Sequence, residues 1–457
     1  MHHRSLKGFV SLGLLAMLFA CNSPKTEDNA FKVDVDYHKL DNGLKVILSE
    51  DHTAPTVTVA VYYNIGFRNE PKDRTGFAHL FEHMMFQGSK NLGKMEFIKL
   101  VQQNGGILNG STSFDFTNYF EVLPSHKLET ALWAESDRMR GLAITQDNLT
   151  NQQGVVKNEV KVNVLNRPYG GFPWLDMPQY ANSNWYNAHN FYGDLADLDA
   201  ATLEDVTDFF NTFYAPNNAA LAIVGDFDKL EVLEMVKKYF GDIPTTQLPA
   251  VPDLSEPRQE EEKTFTKKDA LANRPAMAFG YHMPERNTPE YYAMGLLDQI
   301  LLQGEDSMLH QALVKKNGFT GNVNGGINML GNMMNYNGPM LWIGSLFYDN
   351  TTNQEDILAA MDSVITELQT NQIDQATLNR ALVKWRSSFY DAASEYFGFG
   401  TADLLCSFAL FDDDPSRVNS IEEEFKKVTP ELILKTAKEY LRKTNRTLLT
   451  IEPGAAS

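Results

Sequence analysis

The sequence predicts an α+β chain made of two similar halves, and three observations carry that prediction. Runs rich in β-branched and aromatic residues are interspersed with amphipathic helical runs along the whole length. The order strand, loop, helix found in the first half at residues 56–86 returns at residues 276–302. Between them, residues 245–262 carry Pro249, Pro252 and Pro257 and end in Glu260, Glu261 and Glu262, which is linker composition. The expected organisation is therefore residues 31–244, a linker at 245–262, and residues 263–457.

The chain has 457 residues, 43% hydrophobic and 22% charged, enough for large cores and against extensive disorder. Its 40 basic and 59 acidic residues give a net charge of −19, which disfavours nucleic acid as a partner and names no substrate. Cys21 and Cys406 are too few for a disulfide framework. Arg4 and Lys7 precede an apolar run at 9–20, the pattern of a secretory signal. Leu18-Phe19-Ala20-Cys21 resembles the bacterial lipobox, so residues 1–21 are expected to be a lipoprotein signal, Cys21 the lipidated residue, and 22–30 a polar tether. The expected location is the bacterial cell envelope, periplasm-facing or outer membrane, with the membrane reached by the lipid anchor only. No other stretch approaches the apolar length needed to span a bilayer.

In the first half, residues 36–50 read as a hairpin about Asp41-Asn42-Gly43, and 56–65 as the clearest strand. The helix that follows contains His79-Leu80-Phe81-Glu82-His83. A helix turns about 100° per residue, so His79, Glu82 and His83 share one face. Two imidazoles one turn apart can hold a single Zn²⁺, and the carboxylate between them is placed to act on water as a general base. The alternative is a buried helix with incidental histidines. It would leave three clustered ionisable groups desolvated among Phe77, Leu80, Phe81, Met84 and Met85, at a high cost unless a metal paired them. A second helix is expected near 94–103. Residues 106–120 alternate as strand with small residues in the middle, either an edge to which a peptide could add or an ordinary hairpin. Helices are expected at 128–139 and 148–163, the latter holding Glu159, which composition alone gives no reason to single out. A helix near 203–213, a buried strand at 218–226 and a helix at 229–240 complete this half.

In the second half, a strand at 276–282 leads to a helix at 290–302. Setting Gln303-Gly304 against Gln87-Gly88 places Gly295, Asp298 and Gln299 opposite His79, Glu82 and His83, as in a duplicate that has lost its metal ligands. Residues 322–337, rich in Gly, Asn and Met, read as a mobile loop. A strand at 341–348, helices at 355–370, 375–389 and 432–441, and a strand at 447–451 follow.

Taken together, Gly66-Phe67-Arg68-Asn69-Glu70, the run from Thr75 through His79, Glu82 and His83 to Gly88, Asn109 to Tyr119, Gly154 to Glu159, Tyr214-Ala215-Pro216-Asn217-Asn218 and Val224-Gly225-Asp226 resemble the pitrilysin and insulinase family of zinc metallopeptidases. The match is to its short, two-domain type, the group that includes the mitochondrial processing peptidase. The resemblance implies two homologous α/β-roll domains, each a mainly antiparallel sheet with helices on one face, closing like a clam-shell. It implies one Zn²⁺ per chain, held by His79, His83 and Glu159, with Glu82 as general base, and peptide substrates lying along Leu108, Asn109, Gly110 and Ser111. Two departures stand out. Gln152 occupies a position beside the ligands where the family usually has a glutamate, which removes a charge there. Val314 and Gly321 stand where an arginine and a tyrosine commonly bind substrate and stabilise the oxyanion, and neither can donate a side-chain hydrogen bond. This implies a partner: a homologous subunit supplying the arginine and tyrosine, or a homodimer. A non-catalytic scaffold subunit is the alternative, opposed by the intact His79, Glu82, His83 and Glu159.

Overall fold

The computed structural model describes residues 31–454; the signal, the tether and Cys21 lie outside the described residues. Strands β1 (Asp36–Lys39), β2 (Lys45–Glu50), β3 (Thr56–Tyr63), β4 (Ile107–Thr112), β5 (Thr117–Pro124) and β6 (Ala219–Gly225) form a six-stranded sheet ordered β1-β2-β6-β3-β5-β4. A second, five-stranded sheet is built from β7 (Lys263–Asp269), β8 (Ala276–His282), β9 (Thr320–Ile327), β10 (Leu341–Tyr348) and β11 (Arg446–Pro453), ordered β7-β11-β8-β10-β9. Strand for strand, β2-β6-β3-β5-β4 corresponds to β7-β11-β8-β10-β9. Each sheet has its parallel pair at the same place (β2 with β6, β7 with β11), and its other pairs in this run are antiparallel. The repeated order read from the sequence is a duplicated topology.

β3 reads Thr-Val-Thr-Val-Ala-Val-Tyr-Tyr and is buried along nearly its whole length because both faces of its sheet are covered. Val57, Val59, Val61 and Tyr63 pack into a core with Leu80, Phe81 and Met84, Leu132, Phe209, and Val232 and Val236, from four helices of the same half. The opposite face is covered by Phe399–Asp412, a helix of the second half. Its Cys406 Sγ sits 3.9 Å from the Ala60 carbonyl, and its Phe399 ring stacks on Phe120 at 3.7 Å. The second sheet is treated reciprocally. Met177 and Ala181, on the first-half helix Asp176–Ala181, pack with Ala276, Ala278, Leu341, Ile343 and Leu449. Each half thus lends one helix to the other's sheet.

Residues 322–337 depart from the expectation of a mobile loop. Their first part belongs to β9, and the rest is held by side-chain bonds: Asn328 Nδ2 donates to Asn335 Oδ1 (2.8 Å), and Asn335 Oδ1 also accepts the Asn332 N–H (2.9 Å). Asparagine satisfying backbone donors is turn chemistry as well as linker composition, and here the former applies. Residues 106–120 form the hairpin, β4 and β5 joined through Phe114 and Phe116, which turn inward.

The two halves also meet where a buried ion pair of the first half accepts backbone N–H groups of the second. Arg68 Nε lies 3.5 Å from Asp115 Oδ1, and Asp115 Oδ2 accepts the backbone N–H of Asn337 at 2.8 Å and of Gly338 at 3.3 Å. A Cβ on Gly338 would fall 1.7 Å from Arg68 Nη1 and 2.8 Å from its Cδ. Because Arg68 is buried and paired, it cannot swing aside at low cost. Gly338→Ala is therefore expected to destabilise the protein by about 1–3 kcal/mol in urea unfolding, and an unchanged midpoint would contradict this contact.

Candidate metal centre

The helix Phe77–Met84 begins at Gly76, whose φ of 82° is open to glycine and where a Cβ would meet the Tyr192 carbonyl at 2.9 Å. Glu70 caps this start from outside the helix, its carboxylate accepting the N–H of Gly76 (2.8 Å) and of Ala78 (2.6 Å). A fully buried carboxylate at a helix N-terminus satisfies orphan donors and faces the positive end of the dipole. Phe77, Leu80, Phe81 and Met84 enter the core, which turns His79, Glu82 and His83 the other way.

Glu159 arrives from Gln146–Val160, the helix packed against Phe77–Met84. It lies 3.7 Å from His79 Nε2 and 3.3 Å from His83 Nε2. The two imidazole rings are 5.0 Å apart and nearly perpendicular, and one ligand atom from each of the three residues lies within 4.8 Å of the others. Among the described residues this is the one group of three or more His, Cys, Asp or Glu side chains so arranged. The donor set fits Zn²⁺: two imidazoles and a carboxylate converge on one point. Burial, then the neighbouring His83, pushes His79 down to about 4, which keeps it in the neutral form a ligand requires. For His83, burial acts downward but is outweighed by the Glu159 hydrogen bond and the charges of Glu82 and Glu159. The His83 hydrogen bond holds Glu159 below the usual carboxylate range.

Glu82 is raised by burial, moderated by Thr112, whose hydroxyl donates to Glu82 Oε2 at 2.6 Å. Gln152 is buried beside the cluster, where it acts to raise His83, and its Nε2 donates to Asn151 Oδ1 at 2.8 Å. The amide thus fills the place left by the missing charge with a neutral bond. The Tyr192 ring stands edge-on to His79 at 5.3 Å, and the side chain of Asn163 acts to lower both Tyr192 and Glu159. The expected helix at 148–163 in fact widens into a π turn at Lys161–Leu165, and Asn163 sits in that turn.

Leu108, Asn109, Gly110 and Ser111 lie in β4, the outermost strand on its side of the sheet, with Gly110 close over the Tyr119 ring. The contact from β4 to Glu82 is made by Thr112, next to these residues. Glu70, Thr112, Asn163 and Tyr192 were not singled out in the sequence. Glu70 and Thr112 fall inside recognisable runs, whereas Asn163 and Tyr192 carry no local signal. In the second half, Val314 sits in the π turn Gln311–Lys316, and Gly321 is exposed with nothing within 4 Å of a Cβ position. Lys315 is paired with Glu305 at 3.1 Å.

Gly295, Asp298 and Gln299 line a cavity of about 420 Å³ with Trp385, Phe389 and residues of β9. Asp298 accepts from Trp342 Nε1 at 2.7 Å, and burial raises it to about 6. A carboxyl raised by folding is held protonated by the native state. Its contribution to stability is complete below the ordinary carboxylate range and is lost as pH rises through about 6. Asp298→Asn keeps a carbonyl for Trp342 and never ionises. It is expected to exceed wild type in urea-unfolding stability at pH 8, by up to about 3 kcal/mol, and to match it near pH 4. Equal stability at pH 8 would contradict the shift.

Comparison with known proteins bears on both halves. A family model described as Insulinase (Peptidase family M16) matches residues 45–169, and one described as Peptidase M16 inactive domain matches residues 200–383. The zinc protease PqqE of Helicobacter pylori is 25% identical over 99% of this chain and 100% of its own length. The beta subunit of the mitochondrial-processing peptidase of Bos taurus is 28% identical over 47% of this chain and 44% of its own. Among solved structures, a protease from Helicobacter pylori superposes with a TM-score of 0.83 at 25% identity, covering 92% of this chain and all 100% of that one. The periplasmic protease PqqL of Escherichia coli shares the fold, with a TM-score of 0.73 at 16% identity over 93% of this chain and 48% of that chain.

Proposed function

Since the chain belongs to the insulinase and pitrilysin family of M16 peptidases, we propose that it is a zinc-dependent endopeptidase that cleaves peptides or unfolded polypeptides in the cell envelope. The observation that carries this reading is the convergence of His79, His83 and Glu159 on one point, with Glu82 on the same helix face. These three residues would hold one Zn²⁺ per chain. When bound, the ion supplies Lewis acidity toward the scissile carbonyl and toward water. Glu82 takes the proton of the attacking water on its carboxylate and delivers it to the leaving amine nitrogen, with Thr112 holding Oε2 in place. Leu108 to Ser111 offer the free edge of β4 to the backbone of an extended peptide, so that sequence-tolerant main-chain hydrogen bonds bind it.

The catalytic domain in this reading is residues 31–244, joined by the linker 245–262 to a second domain, 263–457, without a metal site. Val314 and Gly321 support a further step: the chain is the metal-bearing member of a pair, and a homologous subunit supplies the arginine and tyrosine. The beta subunit of the mitochondrial-processing peptidase is, by its name, one subunit of a peptidase. Envelope location rests on the signal pattern, on Cys21 as the lipid anchor, and on the periplasmic PqqL neighbour; among the described residues no helix is long and apolar enough to cross a membrane. Hydrolysis of quenched peptides by the zinc-loaded chain, alone and mixed with a homologous subunit that lacks the zinc ligands, tests the pairing. A rise of tenfold or more on mixing is expected, and full activity of the chain alone would remove the need for a partner.

A further inference from the structure

The back of the first sheet carries a row of side chains from the second half to the free edge of β4. Tyr62 Oη donates to Asp403 Oδ1 at 2.8 Å, Asn118 Nδ2 donates to Tyr62 Oη at 3.0 Å, and Ser111 Oγ donates to Asn118 Oδ1 at 2.5 Å. Asn118 is the register partner of both Tyr62 and Ser111, so the three side chains share one face, the face covered by Phe399–Asp412. Tyr62 and Asn118 are buried; Ser111, at the end of the row, is exposed.

The direction of this row is fixed at its far end. Asp403 Oδ2 faces two more donors, the side-chain amides of Asn332 and Asn335, each at 3.4 Å. Burial raises Asp403 to about 6, so near pH 8 its carboxylate is ionised, and an ionised carboxylate accepts and cannot donate. The single phenolic proton of Tyr62 is therefore committed to Asp403, and Tyr62 Oη must accept from Asn118. That turns the Asn118 amide so that its carbonyl faces Ser111, and the one proton of Ser111 goes to it. Only lone pairs remain on Ser111 Oγ for anything that approaches the edge.

We propose that this one-way row makes Ser111 a specificity-determining residue: it selects, in a peptide added along β4, a hydrogen-bond donor side chain at the position opposite Ser111. The inference rests on the peptidase reading above and deepens it. A residue paired with Ser111 in an added strand has its side chain on the same face, with Cβ atoms about 5 Å apart, within reach of Gln, Asn, Lys or Arg. A donor there completes the row, an apolar side chain leaves it as it is, and a carboxylate meets lone pairs. Gln against Glu and norleucine is the informative comparison, because the overall acidity of the chain favours Lys and Arg at any position.

The experiment is a positional scan of quenched peptides with Gln, Glu, Lys and norleucine at each position, cleaved by zinc-loaded wild type, Ser111→Ala, Tyr62→Phe and Asp403→Asn. Expected for wild type is one subsite at which kcat/KM for Gln exceeds norleucine by about fivefold and Glu by more than tenfold. Ser111→Ala should flatten that subsite. Tyr62→Phe and Asp403→Asn release the Asn118 amide to turn, and should bring Glu to within about twofold of Gln there. Thermal midpoints show that each variant is folded, and Asp403→Asn serves as the second route if Tyr62→Phe is impaired. A subsite profile identical in wild type and all variants, with cleavage continuing, overturns the proposal and leaves the peptidase reading standing. Absence of all cleavage by zinc-loaded wild type, both alone and mixed with the homologous subunit, overturns both.

Discussion

Glu82→Gln is expected to lower kcat for peptide hydrolysis by about 10³-fold while leaving zinc content and thermal midpoint unchanged. The substitution is isosteric, and the amide oxygen can still accept from Thr112 Oγ1, now 2.6 Å from Glu82 Oε2, so the helix face keeps its shape. What is lost is a group able to take a proton from water, a role that contributes typically 10²–10⁴ in rate. Because Glu82 is outside the ligand set, its loss should appear in kcat and not in metal retention. Steady-state kinetics beside elemental analysis separates the two, and a loss smaller than tenfold would remove Glu82 from the general-base role.

His83→Ala should have the opposite signature. It removes one of the three proposed ligands and leaves His79 and Glu159, 3.7 Å apart, without the third corner. Zinc affinity is expected to fall by well over 100-fold, beyond the 10–100-fold typical of residues that merely orient ligands. Ligand binding to the native state alone raises stability, by about 4 kcal/mol at a thousandfold excess over Kd, so zinc should raise the melting temperature of wild type and leave that of His83→Ala unmoved. Titration calorimetry and melting curves with and without zinc check this. An equal zinc-dependent rise in the variant would place the metal elsewhere.

The parts of this molecule that could be read in advance are those whose signal is local. The strand Ala276–His282 and the helix Lys229–Phe240 were legible to the residue because each has a one-sided or β-branched pattern and clear breakers. His79, Glu82 and His83 announced themselves through helical spacing. Glu159 did not; only the resemblance to a family pointed to it, since its partner residues come from another helix. The helix Phe399–Asp412 was missed for a physical reason. It is apolar nearly all round, as its place between two layers requires, so no amphipathic period marks it. The short helix Asp176–Ala181 was likewise invisible, because its purpose is to cover the opposite half's sheet. The exchange of these two helices, the Arg68–Asp115 contact and the Asp403–Tyr62–Asn118–Ser111 row all join residues far apart in the chain, and no local pattern encodes them.

In the proposed function, one zinc ion, held by His79, His83 and Glu159, makes this chain a peptidase. The most direct test is the rate of quenched-peptide hydrolysis by metal-free protein titrated with Zn²⁺, in the presence of any homologous subunit that proves necessary. No cleavage is expected without metal, then a linear rise with a break at one zinc per chain. Cleavage by the metal-free protein, or none at any zinc concentration, would contradict this.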